Sequence, residues 1–185
     1  MPAEDRRGID GYVFLAAYIA CIPLANWMIG HVGTVCVPQG PCLVPVAPGL
    51  MAPSGVLLVG LALVLRDLVQ RSLGRTVVVL AIVLGAALSY LVSPAFALAS
   101  GCAFLVSELA DMAVYTPVAR RSFAGAVLLS NTVGALIDSA IFLSIAFGSL
   151  ALIWGQVVGK MEMTVLALAV LALIRPRLEE APATG

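Results

Sequence analysis

Glu108 and Asp111 stand three residues apart inside Pro94–Val118, a stretch that is otherwise mostly apolar. On a helix that spacing puts both carboxylates on one face. Two acids so placed can accept paired N–H donors from a planar ligand, hold a cationic substituent, or share a proton as a dyad. Asn131, Gly134 and Asp138 make a second stripe, at i, i+3 and i+7 within Phe123–Phe147, flanked by Ser130 and Ser139. Gln156 and Lys160 make a third, at i and i+4 within Leu150–Ile174. Glu162 lies about 200° round the helix from Lys160, so it faces elsewhere or supports another helix. Arg66 and Asp67 sit toward one end of Met51–Gln70.

Each of these groups lies in a stretch long enough to cross a bilayer. An ionised side chain there costs at least ~2.5–3.5 kcal/mol, so it has to be paired, hydrated or functional. Seven ionisable groups fall in such stretches: Arg66, Asp67, Glu108, Asp111, Asp138, Lys160 and Glu162. Five acids against two bases cannot all be neutralised by pairing. Some acid is then protonated, hydrated or waiting for a cationic group. Arg66 is close enough to a span end to snorkel to the headgroups, and Asp67 can pair with Arg71 one turn on. Asp67 could also point inward as part of a gate. The three mid-depth stripes are expected to face one shared cavity. The structural alternative is a buried network, with Lys160 bridging Glu108 and Asp138.

The elements that must position these residues follow from composition. Of the 185 residues, 62% are hydrophobic and 11% charged, against roughly 25% charged in a soluble domain. Lipid is therefore the solvent. The net charge of zero gives no reason to expect a nucleic-acid partner. Spans of ~20 apolar residues are read at 12–29, 51–70, 76–92, 94–118, 123–147 and 150–174. The apolar runs are continuous, without the alternation of a barrel strand. This predicts an all-α membrane protein, a compact bundle of six transmembrane helices. A polar segment, 1–11, precedes the bundle, and a tail, 175–185, follows it. Arg6, Arg7, Arg71, Arg75, Arg120, Arg121, Arg175 and Arg177 fall on alternate connections, while 30–50, Ser93 and Gly148-Ser149 carry no Lys or Arg. By the positive-inside rule both termini are cytoplasmic, and 30–50 is the outer loop. The Arg6-Arg7 pair lacks the apolar run and cleavage site of a leader, so the first span is read as retained.

The outer loop holds Pro38, Pro41, Pro45 and Pro48, which exclude a regular helix. Cys36 and Cys42 lie there and are placed to pair on the oxidising side. His31, the only histidine, could join them at a metal, but no fourth ligand is evident and no metal is assigned. Pro53-Ser54-Gly55 opens the second span, either as a plain first turn or as a partly unwound start whose amides line the cavity. Gly155 and Gly159 form a small-xxx-small motif for helix packing. Trp27 and Trp154 belong to an interfacial belt, although either could stack on a flat ligand.

Asn, Gln, paired carboxylates and an aromatic suit a planar heterocycle better than an inorganic ion. A guanine-like edge offers adjacent N–H and NH2 donors that one carboxylate accepts together. Its carbonyl accepts from Asn, Gln or Lys. An intramembrane enzyme is the contrasting class. The spans hold no Gly-x-Gly-Asp, no His-Glu-x-x-His and no Ser/His pair, so no catalytic residue and no cofactor are assigned.

The ordered set Pro53-Ser54-Gly55, Leu65-Arg66-Asp67-Leu68-Val69-Gln70, Ser107-Glu108-Leu109-Ala110-Asp111, Tyr115-Thr116-Pro117, Ser130-Asn131-Thr132, Asp138-Ser139 and Gly155-Gln156-Val157-Val158-Gly159-Lys160 resembles the bacterial queuosine precursor transporter family, also called the vitamin uptake transporter family. Asn26 near the end of the first span fits as well. The resemblance covers nearly all of the chain. It implies a six-helix inner-membrane importer of 7-deazapurines: 7-cyano-7-deazaguanine, its 7-aminomethyl analogue, and queuine in some members. The aminomethyl cation would suit the excess of acids. The long outer loop with its two cysteines stands apart from that pattern. On this reading Glu108 or Asp111 takes the guanine edge, and Asn131 and Gln156 take the other polar atoms. Asp138 and Lys160 form a pair that breaks or titrates as the carrier changes face, with facilitated diffusion and intracellular trapping as the equal alternative to coupling. Asn26 and Trp27 complete the substrate site, and Arg66 and Asp67 serve gating or coupling. The partners are a small base and the bilayer, with a second copy of the chain left open. The runner-up is a substrate-binding subunit of a multi-component, energy-coupling-factor-like transporter.

Overall fold

Apolar stretches of this length bury their backbone polar groups most simply as helices, and the described residues form six. In the computed structural model, which describes residues 3–38, 40–92 and 97–174, these are α1 (Ala3–His31), α2 (Val56–Leu73), α3 (Arg75–Val92), α4 (Ala97–Val118), α5 (Phe123–Phe147) and α6 (Ile153–Ile174). Four stretches, Asp10–His31, Leu98–Val118, Phe123–Phe147 and Ile153–Leu173, are long and apolar enough to cross a membrane. The chain is thus a multi-pass, α-helical membrane protein. α2 carries Arg66, Asp67, Gln70 and Arg71, whereas α3, Arg75–Val92, is apolar almost throughout.

Local chemistry sets the ends. Gly74, at φ 87°, closes α2 with its N–H on the Gln70 carbonyl. Ser122 caps α5 by accepting from the Gly125 N–H at 3.2 Å. Gly148, at φ 61°, ends α5 in the left-handed region, where a side chain would be strained. That turn delays the sixth helix to Ile153, three residues later than the expected 150. The segment 1–11, expected as a polar tail, is helical from Ala3 onward. Ser93 and Pro94, read as the third connection, and the tail 175–185 with Arg175 and Arg177 lie outside the described residues.

The proline-rich loop departs from the all-α expectation. It folds as a three-stranded antiparallel sheet in the order β1 (Val35–Cys36), β2 (Cys42–Ala47), β3 (Leu50–Pro53). Cys36 is in register with Cys42, Leu43 with Pro53 and Pro45 with Met51. Gly49 turns β2 into β3 at φ 76°. Prolines that forbid a helix are tolerated on short edge strands and at bulges, and β2 carries an irregularity between Pro45 and Ala47. Cys36 and Cys42 are joined by a disulfide. Because β3 takes Leu50–Pro53, the second helix starts at Val56 instead of Met51.

α4 packs along α5, α1 along α2, and α2 along α6. The sheet lies on the start of α6, where Gly155 faces the Met51 carbonyl and Gly159 faces Val46 and Val56. The small-residue motif therefore seats α6 on strands as well as on a helix. Gly60 brings α2 against the backbone of Lys160; a Cβ there would stand 2.8 Å from the Lys160 Cα. The main apolar core includes Tyr18, Leu65, Ile82, Phe104 and Val127. A smaller one at the sheet end joins Ile29, Ala103, Phe142 and Leu143.

Candidate functional site

The polar residues form two levels along the bundle axis. The first lies nearer the sheet. Lys160 on α6 donates to the Asp138 carboxylate on α5, to Ser139 Oγ (2.8 Å) and to Gln156 Oε1 (3.2 Å). All three ammonium protons are thereby used. Ser107 on α4 reaches Asp138 Oδ1 at 3.5 Å. Lys160 is 1% exposed and Asp138 8%. The lysine is held on every side, whereas the acid keeps one aspect open.

That aspect is a cavity. It contains about 570 Å³ of empty space, its open mouth included, and is bounded by α1, α2, α4, α5, α6 and the end of β3. Ile22, Ala25, Val59, Phe104 and Phe142 give it apolar walls. Asn26, Ser100, Asp138, Gln156 and Lys160 supply the polar groups. Ser100 donates to Asn26 Oδ1 at 3.0 Å, which orients that amide. Pro53 and Gly55 line the cavity before α2 begins, as an unwound start would. Few polar groups converging on an apolar hollow is the usual make-up of a small-molecule site.

The second level is a charge cluster around Arg66. Its guanidinium meets Asp67 Oδ1 at 2.6 Å, Glu108 Oε2 at 3.3 Å, and the Asp111 carboxylate. The Tyr18 hydroxyl adds a bond to Glu108 Oε2 at 3.2 Å. The Tyr115 ring lies 5.5 Å from the guanidinium carbon, within cation–π range. Arg66, Asp67 and Asp111 are 0% exposed and Glu108 is 1%. Arg66 also reaches Gln70 Oε1 at 3.4 Å, and Gln70 donates to Thr116 at 3.0 Å.

Several sequence expectations change here. Arg66 does not snorkel; its planar fork suits three carboxylates at once, and they hold it inside. Asp67 pairs with Arg66 and not with Arg71, whose guanidinium lies over Phe123 at 4.9 Å. Lys160 does not bridge Glu108 and Asp138, because Glu108 is taken by Arg66. The three stripes do not share one cavity. Gln156, Lys160 and Asp138 line it with Asn26, while Glu108, Asp111, Asn131 and Trp27 do not. Asn131 donates to Thr164 at 3.2 Å, joining α5 to α6. Trp27 stacks on His31 at 5.0 Å, and the His31 ring nitrogen bonds the Trp27 carbonyl. Among the described residues no group of acids, cysteines and histidine could hold a metal. Tyr18 and Ser100 escaped sequence reading, and Gln70 entered it as part of a motif without a role of its own. Gln70 had a signal, since it stands one turn from Arg66.

The fold and this interior define a polytopic membrane protein with an apolar-walled cavity over buried ion pairs. Residues 89–174 match a family model described as "Putative vitamin uptake transporter", which supports that family and a transport role. No curated protein and no solved structure gives a significant match.

Proposed function

We propose that this chain is a six-span importer of queuosine precursors, the 7-deazaguanine bases, in the bacterial inner membrane, with both termini cytoplasmic. The observation that carries the reading is the cavity beneath the sheet, with a carboxylate, two amides and an ammonium on otherwise apolar walls. A flat bicyclic base fits such a lining between Phe104 and Phe142. Asp138 accepts the adjacent N–H and NH2 of the guanine edge. Glu108 and Asp111, the sequence candidates for this contact, are engaged by Arg66. Gln156 and Asn26 meet the remaining polar atoms, and Lys160 is freed to answer the carbonyl when the base takes Asp138. A cationic aminomethyl substituent would be drawn by the same carboxylate.

Thermal shift of the purified protein with 7-cyano-7-deazaguanine, using guanine and adenine as controls, tests the site. Selective stabilisation by the deazaguanine is expected. Asp138→Asn should weaken binding by about 10–100-fold, the loss of a charge-assisted bond worth ~1.5–3 kcal/mol. Equal stabilisation by adenine would overturn the assignment. Uptake by this chain in a host without an energising module separates a self-sufficient importer from a subunit of a larger one.

A further inference from the structure

The Arg66 cluster lies outside the cavity lining, yet it places three carboxylates on one guanidinium away from any solvent. With all three ionised it carries two surplus negative charges, which the membrane interior does not tolerate without a counter-charge. The donors are unevenly shared. Glu108 accepts from Tyr18 and from Arg66 Nε. Asp111 meets Arg66 Nη2, and Ser130 of α5 lies against it. Among the described residues, both buried oxygens of Asp111 and both of Asp67 lack a hydrogen-bond partner, but Asp67 has Arg66 Nη1 as its sole ion-pair contact and no hydroxyl bonded to it. The charged and titratable groups facing Asp67 are Arg66 on its own helix and Glu108, Asp111 and the Tyr115 hydroxyl on α4. Among the described residues of α1 the Tyr18 hydroxyl joins the cluster, and the Asp138–Lys160 pair of α5 and α6 stands one level away.

A metal cation would have to sit among carboxylates that already contact the guanidinium, at close like-charge range. A proton needs no such space: it adds to a carboxylate oxygen and removes one surplus charge. The cluster is also wired to the cavity, because Glu108 follows Ser107, whose hydroxyl reaches the cavity acid Asp138. We propose that the Arg66 cluster is the binding site of the coupling proton, with Asp67 its acceptor. One proton enters from the sheet side, bonds to Asp67 while the substrate occupies the cavity, and leaves to the opposite side as the carrier turns over. This rests on the transport reading above.

The test uses proteoliposomes with a pH dye inside and 7-cyano-7-deazaguanine outside. The wild type should acidify the interior on substrate addition. It should accumulate substrate by up to about tenfold per unit of inward pH gradient, the limit for one proton per neutral substrate. Replacing sodium by choline should change nothing. Asp67→Asn should lose acidification and accumulation while still exchanging substrate, and Asp67→Glu should recover both. Accumulation driven by sodium alone, or full accumulation by Asp67→Asn, would overturn the proposal. A readout without substrate separates this from failure of the transport reading. Infrared difference spectra of the protein in nanodiscs across pH should show a protonated-carboxyl band that Asp67→Asn removes. An unchanged band would overturn the site even if no deazaguanine were carried.

Discussion

At the level of single residues, buried charges here are held by number of bonds as much as by proximity. Lys160 spends three protons on three acceptors, so removing Asp138 leaves an ammonium with two neutral partners. Asp138→Leu should therefore destabilise by about 3–5 kcal/mol, the usual penalty for orphaning a buried charge. The double change Asp138→Leu with Lys160→Met should recover most of that loss, because a pair replaced by apolar groups is close to neutral. Thermal midpoints in one detergent decide it, and a double variant no better than the single would contradict the pairing. Arg66→Lys should fail to replace arginine and should lower the thermal midpoint, since a point-like ammonium lacks the fork of nitrogens that meets three carboxylates at once. The stripes on α4, α5 and α6 were readable because helical periodicity shows which residues share a face. Their partners across the bundle were harder. The adjacent Arg66-Asp67 reads as a span end, yet Arg66 stands ten residues past the first residue of α2. Glu108 stands eleven past that of α4. Equal depth on two helices running the same way was the available clue, and the surplus of acids on α4 called for a cation.

At the level of elements, the helices follow from hydropathy, and the sheet does not. Prolines announce that 30–50 is no helix, but they say nothing about which strand pairs with which. The pairing depends on the Cys36–Cys42 register and the Gly49 turn. The sheet is seated by an absence of side chain, for Gly155 lets α6 approach the Met51 backbone. Gly155→Val should force the two apart and cost about 1–3 kcal/mol, roughly 2–4 °C in thermal midpoint per kcal/mol for a chain of this size. It should also weaken deazaguanine binding, since Gln156 and Lys160 ride on the same helix. Reduction of the disulfide should lower stability by about 2–3 kcal/mol, as expected for a short covalent loop. Thermal melts with and without reductant would show it, and identical melts would refute a stabilising role.

Taken whole, the molecule turns apolar side chains outward. Leu80, Tyr90, Leu98 and Leu173 are each at least 66% exposed, a surface suited to lipid. Glu162 is the exception, an exposed carboxyl midway along α6. Glu162→Leu should express at least as well as the parent and melt no lower, because an acid facing hydrocarbon is unfavourable. A clear loss of stability would show that something polar covers it. The arginine pattern predicts that added cysteines at Ser149 react with an impermeant thiol reagent from outside intact cells, and that cysteines at Arg120 do not.

The disulfide has a consequence for how the chain comes to be inserted. Its ring spans a separation of only six residues, so it can close without help from the rest of the bundle. The hairpin lies in the chain between α1 and α2, and in the proposed topology, with both termini cytoplasmic, it is carried to the far side of the membrane before α2 is laid down. A molecule threaded the right way round meets an oxidising compartment and loses two thiols; one threaded upside down keeps them. The redox state of this one hairpin is therefore a permanent record, molecule by molecule, of which way each chain entered the bilayer.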